Sequence, residues 1–176
     1  MQSPEFTVDV PYVSQLVPVY GVGRKVSFYA CGPASAAMLA SYFTGMQPDL
    51  GRAITLAGGN AIIGRGTQPW QVAQIVRTLA PGVRSDTATA GSWATARSVL
   101  AAELGGGRPF IALVRPSWVA TTIDHYTVVT GVNGRRGTVT LNDPLAGDDV
   151  TVTDVAFIAA WQRIRWVKPF MYIWAR

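Results

Sequence analysis

With 176 residues, 49% of them hydrophobic and 14% charged, the chain is excluded from the disordered class and is sized for one folded domain with one core. Its net charge of +5 would suit a nucleic-acid binder if it were concentrated; only Arg135-Arg136 in a glycine-flanked turn and the series Arg163, Arg165 and Lys168, interleaved with Trp161 and Trp166, approach a basic run, and without a recognised binding motif the series reads as a solvated face, not a nucleic-acid site. One cysteine excludes an intrachain disulfide, one histidine excludes the usual Cys/His zinc clusters, and no apolar run reaches the ~20 residues of a membrane-spanning helix.

In chain order, residues 1–6 (Met1-Gln2-Ser3-Pro4-Glu5-Phe6) read as a junction or the edge of a cut domain, and residues 7–176 as a single domain. That opening is compatible with a removed signal segment, hence a secreted or surface location, and equally with a larger parent or a cytoplasmic protein. The first strong signal is Tyr29-Ala30-Cys31-Gly32-Pro33 followed by Ala34, Ser35, Ala36, Ala37, Met38 and Leu39. Proline is tolerated in a first helical turn, where its missing N–H loses no partner, and the small apolar residues beyond it continue a helix. Cys31 is thus predicted at a helix N-terminus, where unpaired N–H groups and the positive end of the dipole favour a thiolate over a thiol.

The middle of the chain is punctuated helix. Asp49 is predicted to cap a short helix through Leu56, stopped by Gly58-Gly59-Asn60. Thr67-Gln68-Pro69-Trp70 starts a second, with Trp70, Ala73, Val76 and Leu79 at helical spacing and Pro81-Gly82 as its stop. Ser92 caps a third that runs to Gly105-Gly106-Gly107. These stripes are predicted to be core.

Phe110-Ile111-Ala112-Leu113-Val114 is apolar enough for a central strand. The loop Pro116 to Asp124 leads from it to His125 and is a candidate substrate wall, with Trp118 read as a loop anchor. His125-Tyr126-Thr127-Val128-Val129-Thr130-Gly131-Val132 is a β-branched run ending in Asn133-Gly134, and Gly137 to Pro144 reads as the returning arm of a hairpin. His125 opens one arm and Asp143 closes the other, so the carboxylate falls within cross-strand reach of the imidazole. Thr153-Asp154 caps a helix to Trp161, and Phe170-Met171-Tyr172-Ile173-Trp174 is the closing strand.

Cysteine at a helix start, then histidine, then aspartate is an order suited to nucleophilic catalysis. The carboxylate fixes the imidazole, and the imidazole exchanges the proton of the sulfur.

Assembled, these blocks resemble the papain-like, C39-like cysteine peptidases, relatives of the leader-peptide peptidase domains of some bacterial exporters. Val10-Pro11-Tyr12-Val13-Ser14-Gln15 is similar to the family's N-terminal strand with its oxyanion glutamine, and Ala30-Cys31-Gly32-Pro33 to its nucleophile motif. The run from His125 to Gly131 is similar to its histidine strand, and Asn142-Asp143-Pro144 with Gly147, Phe157 and Trp161 to its closing blocks. The resemblance implies an α+β papain-like fold, a helical half carrying the nucleophile packed on an antiparallel sheet carrying His125 and Asp143. It implies thiol peptidase activity on a peptide or protein substrate, with neither metal nor organic cofactor. In it Gln15 donates to the oxyanion, Cys31 attacks, His125 moves the proton and Asp143 orients His125. The interval from Gln15 to Cys31 is wider than the family's, so Leu16 to Phe28 is expected to loop out. Two alternatives keep the scaffold: an amidase, deamidase or acyltransferase, and a non-catalytic module that binds a peptide or leader. Side-chain preference and oligomeric state are not read from the sequence.

Overall fold

The structure is a computed structural model describing residues 5–121 and 123–176. Residues 1–4 of the expected junction, and Thr122 of the loop before His125, lie outside the described residues.

The centre is an antiparallel sheet in the order β2-β7-β3-β4-β5-β6, with β1 also on β4. The strands are β1 (Glu5–Thr7), β2 (Ser85–Thr89), β3 (Phe110–Val114), β4 (His125–Asn133), β5 (Thr138–Asp143), β6 (Gly147–Thr153) and β7 (Met171–Ala175). β3 pairs Phe110 to Val114 against Val129 to His125 of β4, and β1 pairs with the far end of β4, at Gly131 to Asn133. The two short partners therefore sit end to end along one edge of the longest strand.

Strand periodicity divides the core. Successive side chains of a strand point to opposite faces, and in β3 Ile111 and Leu113 join one buried cluster while Phe110, Ala112 and Val114 join the other. The first face is covered by α2 (Cys31–Thr44), α3 (Leu50–Leu56) and α4 (Pro69–Leu79), the second by α5 (Trp93–Gly105) and α6 (Asp154–Gln162). A single helical turn, α1 (Arg24–Ser27), precedes α2. Helices packed on an antiparallel sheet make this α+β.

Local chemistry sets the helix boundaries. Asp49 Oδ1 accepts from Arg52 N at 2.9 Å, Ser92 Oγ from Thr95 N at 3.2 Å and Thr153 Oγ1 from Ala156 N at 3.2 Å, each satisfying an N–H that has no helical carbonyl to use. α2 ends at Gly45, whose φ of 67° lies in the left-handed region that glycine adopts without steric cost. No helix among the described residues is long and apolar enough to cross a membrane.

Four sequence expectations shift. Val10 to Gln15 is not a strand: Pro11 cannot donate to a ladder, and Gln15 N instead bonds Pro144 O at 2.9 Å. Trp70 leaves the stripe of α4 and is exposed, while Ala73, Val76 and Leu79 are buried. Phe170 to Trp174 does not lie at a sheet edge, because β7 sits between β2 and β3. Trp161 is buried, so only Trp166 stands exposed among the C-terminal cations.

Candidate active site

α2 begins at Cys31 itself, with no side chain capping its first turn, so the free N–H groups there face the sulfur's end of the helix. The helix is buried from Cys31 to Ser41, which holds Cys31 rigidly. Gly32 is required by closeness: a Cβ on it would lie 3.1 Å from both Thr67 Cβ and Val72 Cγ2.

β4 and β5 bring in the other two groups. His125 Nε2 lies 2.8 Å from Asp143 Oδ1, with both side chains essentially excluded from solvent. Against a carboxylate that nitrogen carries the proton and donates, leaving Nδ1 as the ring atom for the sulfur. Cys31 and His125 lie close enough for each to shift the titration of the other.

The electrostatics follow from this contact. Burial by itself pushes the Cys31 thiol pKa up, but the hydrogen bond and charge of His125, with the backbone N–H groups of Tyr126 and Gly32, bring it below the ordinary thiol value. Burial by itself would lower the pKa of His125, yet Asp143 and Cys31 together push it up to about 10. Burial opposes ionisation of Asp143 too, and His125, Trp118 and the N–H of Leu145 overcome it and hold its carboxyl below the usual range. All three directions favour thiolate, imidazolium and carboxylate.

Asp143 is heavily tied. Besides His125, its Oδ1 accepts from Leu145 N at 2.9 Å and Ala146 N at 3.1 Å, and its Oδ2 from the Trp118 indole N–H at 3.0 Å. The Asp-Pro turn that sequence logic reads as a strand terminator is thus also the cradle of the carboxylate. Trp118 anchors its loop, stacked on Phe157 at 6.4 Å, and is also a ligand of Asp143. That contact was missed, and the one sequence signal for it was a tryptophan in the loop leading to His125.

Gln15 is buried and spans two parts of the site. Its backbone is held by Pro144, beside Asp143, and its side-chain Nε2 donates to Ser27 O at 2.8 Å, in the turn just before Cys31. Its Oε1 is buried without a partner. The long stretch between Gln15 and Cys31 does loop out, exposing Leu16, Val17, Tyr20 and Phe28.

A cleft of about 400 Å³ opens at Cys31, walled by Tyr29, Thr67, Leu113 and Tyr126. The hydroxyl of Tyr126 donates to Thr67 O at 2.8 Å, pinning the glycine loop Gly64-Arg65-Gly66 to β4.

Residues 7–168 match the Peptidase_C39 like family. The chain belongs to the peptidase C39-like family. Among solved structures, a double glycine motif protease from an AMS/PCAT transporter, in complex with its leader peptide, superposes with a TM-score of 0.61 at 17% identity, covering 97% of this chain and 93% of that one. UfSP from C. elegans aligns with a TM-score of 0.45 at 14% identity over 97% of this chain and 33% of its own. No curated protein matches. Family and first superposition together make the fold papain-like, as the C39-like sequence blocks imply.

Proposed function

We propose that this C39-like chain is a cysteine peptidase, built as one domain over residues 7–176 that β1 extends to Glu5, in which Cys31 attacks, His125 transfers the proton, Asp143 holds the imidazolium and Gln15 donates to the oxyanion. One observation carries the reading: the buried His125–Asp143 contact, with Nε2 2.8 Å from Oδ1, lies close enough to Cys31 at the N-terminus of α2 to depress its thiol pKa.

The thiolate adds to the scissile carbonyl carbon, and the oxyanion is met by the Cys31 backbone N–H and the second N–H of the Gln15 amide, the first being held by Ser27. His125 gives its proton to the departing amine, leaving a thioester. The neutral imidazole then takes a proton from water, the hydroxide adds to the thioester, and collapse of that adduct expels the thiolate, restoring the ion pair. A peptide substrate, in preference to a small amide, is supported by the leader peptide held by the structurally similar protease.

Iodoacetamide labelling provides the test. Cys31 should react stoichiometrically at mildly acidic pH, where an ordinary thiol of pKa ~8.5 is protonated. Mass spectrometry of a peptide mixture should then show backbone cleavage that disappears in Cys31→Ala. Side-chain deamidation or new acyl bonds would assign the amidase or acyltransferase chemistry instead, and sluggish labelling without cleavage would leave a binding module.

A further inference from the structure

Two clefts open on the sheet end that carries Cys31, and they share Arg115. The first runs from Cys31 past Arg65 and Ile123 to Arg115, Asp124 and Trp166. The second, about 380 Å³, is lined by Arg115 together with Ala159, Gln162, Arg163, Ile164 and Arg165. Four arginines line the pair, and Asp124 is the one carboxylate.

That carboxylate is already satisfied. Its Oδ1 accepts from Arg115 Nε at 2.7 Å and its Oδ2 from the Trp166 indole N–H. Arg115 commits only Nε to it, so its two terminal nitrogens keep their donors. Arg65, Arg163 and Arg165 are exposed and enter no ion pair among the described residues. Like charges lining two neighbouring clefts repel one another unless anions lie among them, and they raise the local concentration of an anionic ligand.

We propose that this track takes an acidic segment of the peptide substrate on one side of the scissile bond, with Arg65 beside the nucleophile and Arg163 and Arg165 farther out as specificity-determining residues. The proposal rests on the peptidase reading. The shared residue carries it: Arg65 and Arg115 line the cleft that holds Cys31, and Arg115 also lines the neighbouring cleft with Arg163 and Arg165. A single-stranded nucleic acid, the other polyanion, fits less well. It needs successive stacking faces, whereas Trp161 is buried and Trp166 is left as the sole exposed aromatic of the C-terminal arginine series.

Two measurements test it, one independent of cleavage. In fluorescence anisotropy on Cys31→Ala protein, a labelled alternating Gly-Glu peptide of about ten residues should bind about five- to tenfold tighter than its Gly-Gln counterpart at ~50 mM salt, the gap closing near ~0.5 M. Arg163→Glu with Arg165→Glu should remove most of the preference, and the paired Gln variant about half of it; both sites are exposed, and unchanged circular dichroism checks the fold. Equal binding of the two peptides overturns the proposal, as does tighter binding of an oligothymidylate of matched charge. In the second measurement, wild-type protein digests a proteome-derived peptide mixture, and Asp and Glu should be enriched on one side of the cut sites, less so for the charge-reversed variant. Cleavage without that enrichment overturns the acidic track and leaves the peptidase intact. A retained Gly-Glu preference with no cleavage at all does the reverse.

Discussion

Asp143 shows how much one carboxylate can be asked to do. It accepts from His125, Trp118, Leu145 and Ala146 while fully buried, and its hydrogen bond and charge act with Cys31, against burial, to raise the His125 pKa to about 10. Asp143→Asn keeps the shape and loses the charge. With only Cys31 left to stabilise the imidazolium, the His125 pKa falls toward its ordinary value and the Cys31 pKa rises toward its own. Peptidase kcat/KM should drop by about 10²-fold, whereas Trp118→Phe, which removes one donor and keeps the ring against Phe157, should cost about three- to tenfold. Equal losses in the two variants would mean that the charge is not what matters. The wild-type pH profile follows from the same directions. Lowering the pH through the depressed Cys31 value protonates the thiolate and removes the nucleophile. Raising it through about 10 strips the imidazolium of the proton owed to the leaving amine. Between these limits kcat/KM should be flat; an acid limb at or above ~8.5, the ordinary thiol value, would show that no ion pair forms.

At the scale of elements, what was legible is what local chemistry writes. Asp49, Ser92 and Thr153 announce helix starts because a cap acts within three residues, and the start of α2 at Cys31 follows from Gly32-Pro33. β3 was legible because burial on both faces leaves an unbroken apolar run. β1 and β2 were not: Glu-Phe-Thr and Ser-Asp-Thr-Ala-Thr are short and polar, and become strands because β4 and β7 offer them partners from distant parts of the chain. The same holds at the candidate site. His125 and Asp143 share a hairpin end that spacing reveals, whereas Gln15 reaching Ser27 and Arg115 joining two clefts exist only once the chain is folded. Gly32 tests how tightly α2 is seated. Helix propensity alone makes Gly32→Ala stabilising by about 0.5–1 kcal/mol. The new methyl, however, would sit 3.1 Å from Thr67 Cβ and Val72 Cγ2, both buried with little room to retreat. Overpacking should win, with a net loss of about 1–2 kcal/mol in urea unfolding; a gain in stability would show that Thr67 yields and that the cleft wall is softer than its packing suggests.

For the whole molecule, the question is whether the two faces of the sheet unfold together. The cluster beneath α2, α3 and α4 holds Cys31, and the other is centred on Trp161, which meets Phe110, Phe157, Phe170 and Tyr172 at ring separations of 5.5–6.0 Å. Its indole N–H donates to Met171 O at 2.7 Å, so one side chain joins α6 to β3 and β7. Trp161→Ala empties that joint and orphans a buried carbonyl, a change that typically costs about 3–5 kcal/mol. Because β3, β4 and β7 supply side chains to both clusters, neither face can lose its sheet and keep its core. Native-state hydrogen exchange on the variant should therefore show the slowest amides of α2 losing as much protection as those of α5, although α2 lies across the sheet from the substitution. Protection lost in α5 and α6 but retained in α2 would mean that the half carrying Cys31 is stable by itself, and the aromatic face only an addition to it.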